Sequence, residues 1–100
     1  MIKILIADDE PLVQIGIKSM INWEEYGIEV CGTAMNGANA LDLIEEYSPE
    51  IVITDIRMPH MDGIEMMTEL RRRGCRAHVI LLTLQRPAVK NTEEFLSSSF

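Results

Sequence analysis

Asp8 and Asp9 stand side by side just after Ile2–Ala7, and Asp55 closes the run Ile51-Val52-Ile53-Thr54-Asp55. Both runs are nearly continuous in β-branched and apolar residues, the pattern of a strand buried on both faces of a parallel sheet. Residues just past the carboxyl ends of such strands gather at one edge, beside the topological switch point. With strands in the order 2-1-3-4, the first and third are neighbours, so the three carboxylates crowd into one shallow pocket. Their mutual repulsion calls for a cation. Oxygen ligands with room for water suit Mg²⁺, and a metal-neutralised carboxylate can attack phosphorus to give an aspartyl-phosphate. Thr83, ending a fourth apolar run from Val79, can donate its hydroxyl to a phosphoryl oxygen. Each residue also has a plainer role: Asp9 or Asp62 as a helix cap, Thr83 as an ordinary strand residue.

The elements that must position these groups follow from periodicity. Pro11 suits the first turn of a helix running to about Met20, with Leu12, Ile15, Ser19 or Val13, Gly16, Met20 as its inward face. Residues 22–27 read as a connector and Ile28 to Ala34 as a second strand. Asn36-Gly37 is a turn signal that also offers a cap, and Ala40, Leu43, Ile44 and Tyr47 form a helical stripe ended by Ser48-Pro49. A third helix is expected from Gly63 through Arg73, with Met66, Met67 and Leu70 inward and Gly74 as its stop. Arg71, Arg72 and Arg73 complement its dipole. The order is β-α-β-α-β-α-β, an α/β doubly wound parallel sheet with helices on both faces.

These residues resemble a known family. Asp8-Asp9-Glu10-Pro11, the stretch from Ile51 to Gly63 containing Asp55-Ile56-Arg57-Met58-Pro59-His60-Met61-Asp62-Gly63, and Ile80-Leu81-Leu82-Thr83 look like the receiver domain of two-component response regulators. The segment from Asn22 to Ile28 further resembles receivers that precede an AraC-type output domain. The resemblance implies a flavodoxin-like (CheY-like) fold, with Asp55 as the phosphoacceptor, loaded from the phosphohistidine of a histidine kinase. It implies Asp9 and Asp55 as direct Mg²⁺ ligands, the backbone carbonyl of Arg57 as a third, and Asp8 acting through a metal-bound water. Thr83 would be the hydroxyl switch, and the protein a phosphoacceptor rather than an enzyme in its own right.

The remaining chain shapes these expectations. The family's lysine after a fifth strand has no counterpart, since Lys90 lies seven residues past Thr83 and a parallel crossover takes a dozen or more. The 17 residues after Thr83 are too few for a further βαβ unit. We therefore expect an incomplete receiver over residues 1–84, lacking the fifth strand and last helix. A divergent tail over 85–100 is expected to carry at most a short helix. An uncovered fourth strand would favour a homo-oligomer, a swapped element or coverage by the tail. A degenerate receiver acting only as an interaction module and a Mg²⁺-dependent phosphatase are the other readings. The Asp-x-Asp pattern of the latter is absent at Asp8-Asp9-Glu10.

The net charge of −7 over 100 residues argues against a nucleic-acid surface, and no apolar run reaches the roughly 20 residues that span a bilayer. Cys31 and Cys75 make neither a disulfide framework nor a metal motif. With no signal-peptide pattern at the start, the expected location is the cytoplasm. Met58, Met61, Met66 and Met67 read as core contacts. His60 and His78 read as surface and strand-edge residues, and the cluster of Arg71 to Arg73 with Arg76 as a solvated helix end.

Overall fold

The computed structural model describes residues 1–82. Thr83, Leu84, Lys90 and the expected tail over 85–100 lie outside the described residues. The described elements are β1 (Ile2–Ala7), α1 (Pro11–Met20), a 3₁₀ turn (Trp23–Tyr26), β2 (Ile28–Ala34), α2 (Gly37–Tyr47), β3 (Ile51–Asp55), α3 (Gly63–Arg72) and β4 (His78–Leu82). All pairings are parallel and the strand order is β2-β1-β3-β4. The α/β doubly wound reading is therefore correct, and the described sheet has the strands in the expected sequence.

The core lies on one face of this sheet. Leu5, Ala7 and Val52 pack with Ala40, Leu41 and Ile44 of α2 and with Met66 and Leu70 of α3. Ile4 and Ile6, whose side chains alternate to the opposite face of β1, are also buried. Between Ile4 and Leu5 the β1–β2 register shifts, leaving Cys31 as the extra residue of β2. Its thiol donates to the Ile4 carbonyl at 3.2 Å.

The helices carry the expected boundaries but not all the expected faces. On α1 neither expected stripe is inward: Leu12 is 81% exposed, and Ile15, Ser19, Gly16 and Met20 are exposed too. Of the second stripe Val13 alone is half-buried, and with the unexpected Ile17 it flanks Gln14, the buried residue of the helix. The inward position is thus taken by a polar side chain whose donors are satisfied inside the fold. On α2 the buried stripe is Gly37, Ala40, Leu41 and Ile44, with Leu43 half-buried and Tyr47 at the exposed end. These buried positions share the spacing i, i+3, i+4, i+7.

Local signals set the helix ends. The Asn36 side chain accepts from the Asn39 N–H at 2.8 Å, and Ser48 closes α2 in the left-handed region before Pro49. Asp62 and Glu65 form a reciprocal capping box at the start of α3. Gly74, at φ +79°, reverses the chain at its end. Of the arginines there, Arg71 donates to the Cys75 carbonyl, whereas Arg72 and Arg73 both bind Glu69. Hydrogen bonds from Arg72 and Arg73 lower the Glu69 carboxyl to about 2.

Candidate functional site

The carboxyl ends of β1 and β3 bring Asp8, Asp9 and Asp55 together, with one ligand oxygen from each lying within 4.8 Å of the others. Asp8 is 1% exposed and Asp55 3%, while Asp9 is half-buried. The arrangement follows from parallel strand pairing, because Ala7 and Thr54 are paired across β1 and β3, so the acidic residues emerge side by side. The N-cap position of α1 is taken by Glu10 rather than by Asp9. Asp62 does take the plainer role, as the cap of α3. Arg57 is exposed, and its N–H donates to Asp55 Oδ1 at 3.3 Å.

The loops around the cluster are laced to one another. The Asp8 N–H donates to the Ala34 carbonyl at 2.9 Å, and Asp8 Oδ1 accepts from the Glu10 N–H at 2.8 Å. The Gly37 N–H donates to the Met61 carbonyl at 2.9 Å, tying the start of α2 to the loop that follows Asp55. A Cβ at Gly37 would come within 2.6 Å of that carbonyl oxygen. Gly63 donates to the Ile56 carbonyl at 2.9 Å, and a Cβ there would collide with the Asp55 carbonyl. Between these glycines His60 is exposed in the left-handed region at φ +67°, as the Met61 N–H turns back to the Pro59 carbonyl at 2.7 Å. Such conformations occur in only a few per cent of non-glycine residues.

Gln14 is the residue that motif reading overlooks, while Gly37 and Gly63 read as helix starts without their close backbone approach. Their signals are present in the chain. Gln14 is a polar residue between Val13 and Ile15, and both glycines open helices beside capping side chains.

Chemically the cluster is an all-oxygen donor set of three like charges at close range. That set fits a hard divalent cation such as Mg²⁺, which prefers carboxylates and retains waters. Asp8, Asp9 and Asp55 are the residues that would hold it. An open cavity of about 420 Å³ bordered by Ile44, Pro49, Ala77 and His78 lies by the starts of β3 and β4, the sheet edge opposite the carboxylates. No helix among the described residues is long and apolar enough to cross a membrane.

Comparison with known proteins agrees with the geometry. The family profile of the response regulator receiver domain matches residues 4–98. The transcriptional regulatory protein HptR of Staphylococcus aureus (strain NCTC 8325 / PS 47) is 40% identical over 83 residues, which make up 83% of this chain and 32% of that protein. The chain thus spans about a third of the length of the curated relatives it matches. A DNA-binding response regulator of the LuxR family from Staphylococcus aureus superimposes with TM-score 0.74 at 32% identity, covering 99% of this chain and 78% of that one. A two-component transcriptional regulator AraC from Clostridium phytofermentans ISDg gives TM-score 0.73 at 34% identity, covering 81% of this chain and 65% of that one. The fold, the acidic edge and these matches lead to one conclusion: the chain belongs to the response regulator receiver domains of two-component signalling.

Proposed function

We propose that this chain is a phosphoacceptor module, in which Asp55 takes a phosphoryl group from the phosphohistidine of a histidine kinase. The observation that carries the reading is the convergence of the Asp8, Asp9 and Asp55 oxygens within 4.8 Å at the carboxyl edge of a parallel sheet. In the transfer, an Asp55 carboxylate oxygen forms the new P–O bond. The P–N bond to the donor imidazole breaks, and its electron pair returns to the ring nitrogen. Little covalent work falls to the protein, so positioning and charge compensation dominate.

A bound Mg²⁺ supplies the positive charge that offsets the carboxylates and the phosphoryl oxygens. Asp9 and Asp55 are its proposed direct ligands, with the Arg57 backbone carbonyl as a third and Asp8 acting through water. Asp55 is 3% exposed, held at the end of β3. The Arg57 N–H at 3.3 Å orients one of its oxygens. Thr83 directly follows β4, and we assign its hydroxyl to a phosphoryl oxygen. The kinase is the proposed partner and the cytoplasm the proposed location. An AraC-type or LuxR-type output domain is the proposed recipient of the signal.

Incubation with acetyl phosphate and Mg²⁺, followed by intact mass, tests the reading. The expected result is a Mg²⁺-dependent single phosphoryl adduct that is absent from Asp55→Asn. A folded protein without an adduct would favour a degenerate interaction module. Steady hydrolysis of phosphomonoesters would instead make it a phosphatase.

A further inference from the structure

Helix α1 holds to the sheet through an unusual choice of residue. Its apolar side chains Leu12, Ile15 and Met20 are exposed, and Gln14 is the buried one, at 8% exposure. The Gln14 carboxamide nitrogen lies 2.7 Å from the Asp8 carbonyl, 3.0 Å from the Ala34 carbonyl and 3.4 Å from the Met35 sulfur. Ala7–Ala34 is the last paired position of β1 and β2, and beyond it the Asp8 N–H still reaches the Ala34 carbonyl. Gln14 therefore fastens both strands at the point where the regular ladder stops. The chain fastened there is the turn that carries Asp8 and Asp9.

We propose that Gln14 is a positioning residue for the acidic pocket: its amide holds the Asp8–Asp9 turn against the end of β2. This inference rests on the Mg²⁺ reading given above. Three carboxylates at close range repel one another, so the backbone that carries them gains from each added anchor to the sheet. The carboxamide gives the Ala34 carbonyl a second donor and the Asp8 carbonyl a donor from outside the turn. Both bonds are buried, where a lost hydrogen bond is not readily replaced by water. Partners of this kind, one step removed from a metal ligand, commonly change affinity when lost, by roughly 10- to 100-fold.

The test measures Mg²⁺ affinity by calorimetry on the full chain, with Tm followed in parallel. Gln14→Met keeps the shape and removes the donors, whereas Gln14→Arg restores N–H donors at the same position. Leu70→Ala, in the core of α3, lowers Tm without touching the turn. We expect Gln14→Met to weaken Mg²⁺ binding roughly tenfold, with Gln14→Arg recovering most of it. Leu70→Ala should bind Mg²⁺ as the parent does, despite its lower Tm. Parental affinity in Gln14→Met, or an equal loss in Leu70→Ala, would overturn the proposal. If the parent itself binds no Mg²⁺, the metal reading fails separately. Amide exchange at Asp8 and Glu10 then decides the positioning role: faster in Gln14→Met supports it, and unchanged exchange overturns it.

Discussion

Asp55 and Asp8 are almost fully buried, yet each is an acidic residue at the end of an apolar strand. Burying a carboxylate is costly unless hydrogen bonds or a cation compensate it, which is why these two residues anchor the proposed site. Cys31 shows the opposite, structural use of a reactive side chain. It occupies the register shift of β2, its thiol donates to the Ile4 carbonyl, and burial pushes the thiol up from its ordinary value. A higher thiol value means less thiolate near neutrality and hence slower alkylation. In a Cys75→Ser background at pH 8, Cys31 should react with iodoacetamide several-fold more slowly than free cysteine. Reaction at the rate of free cysteine would contradict this.

Among the elements, the glycines show which loops tolerate no change. Among the described residues, no atom outside the helix's own backbone lies within 4 Å of where a methyl group on Gly16 of α1 would project, whereas Gly63 abuts the carbonyl of Asp55. Gly16→Ala should therefore stabilise the protein by about 0.5–1 kcal/mol, the cost of a helical glycine relative to alanine. Gly63→Ala should destabilise it by about 1–3 kcal/mol, since the added methyl must displace backbone. Chemical denaturation of the two variants checks both signs. The loss at Gly63 should be accompanied by weaker Mg²⁺ binding, because the displaced backbone is that of Asp55 itself.

The element boundaries were legible because strong punctuation coincides with them: Pro11, Asn36-Gly37, Ser48-Pro49, Asp62-Gly63 and Gly74. The gathering of Asp8, Asp9 and Asp55 was legible too, given the strand order 2-1-3-4, because that order makes the strands they end neighbours. The inward face of α1 was not. Hydrophobic periodicity cannot show that Gln14 satisfies its donors at two strand ends, which depends on where β2 meets β1. Nor could it show that Gly37 and Gly63 are places of close backbone approach, because the neighbouring atoms come from Met61 and Asp55, distant in the chain or around a loop.

For the whole molecule, the net charge of −7 acquires a location, since part of it is concentrated in one cluster at the sheet edge. A ligand that binds only the folded state stabilises it, by about 2.7 kcal/mol at a hundredfold excess over Kd. In a domain of this size that corresponds to a Tm rise of roughly 10–20 °C, at about 4–8 °C per kcal/mol. Saturating Mg²⁺ should therefore raise Tm, Na⁺ at equal ionic strength should not, and Asp9→Ala should lose most of the rise. Thermal scans by circular dichroism read this directly.

The proposed function turns on Asp55 itself receiving the phosphoryl group. Acetyl phosphate treatment in Mg²⁺, borohydride reduction and peptide mass mapping locate the modified residue, because an aspartyl-phosphate is reduced to homoserine. Homoserine is expected at position 55 alone, and only when Mg²⁺ is present. Label at Asp8 or Asp9, or none at all on a folded protein, would contradict that assignment.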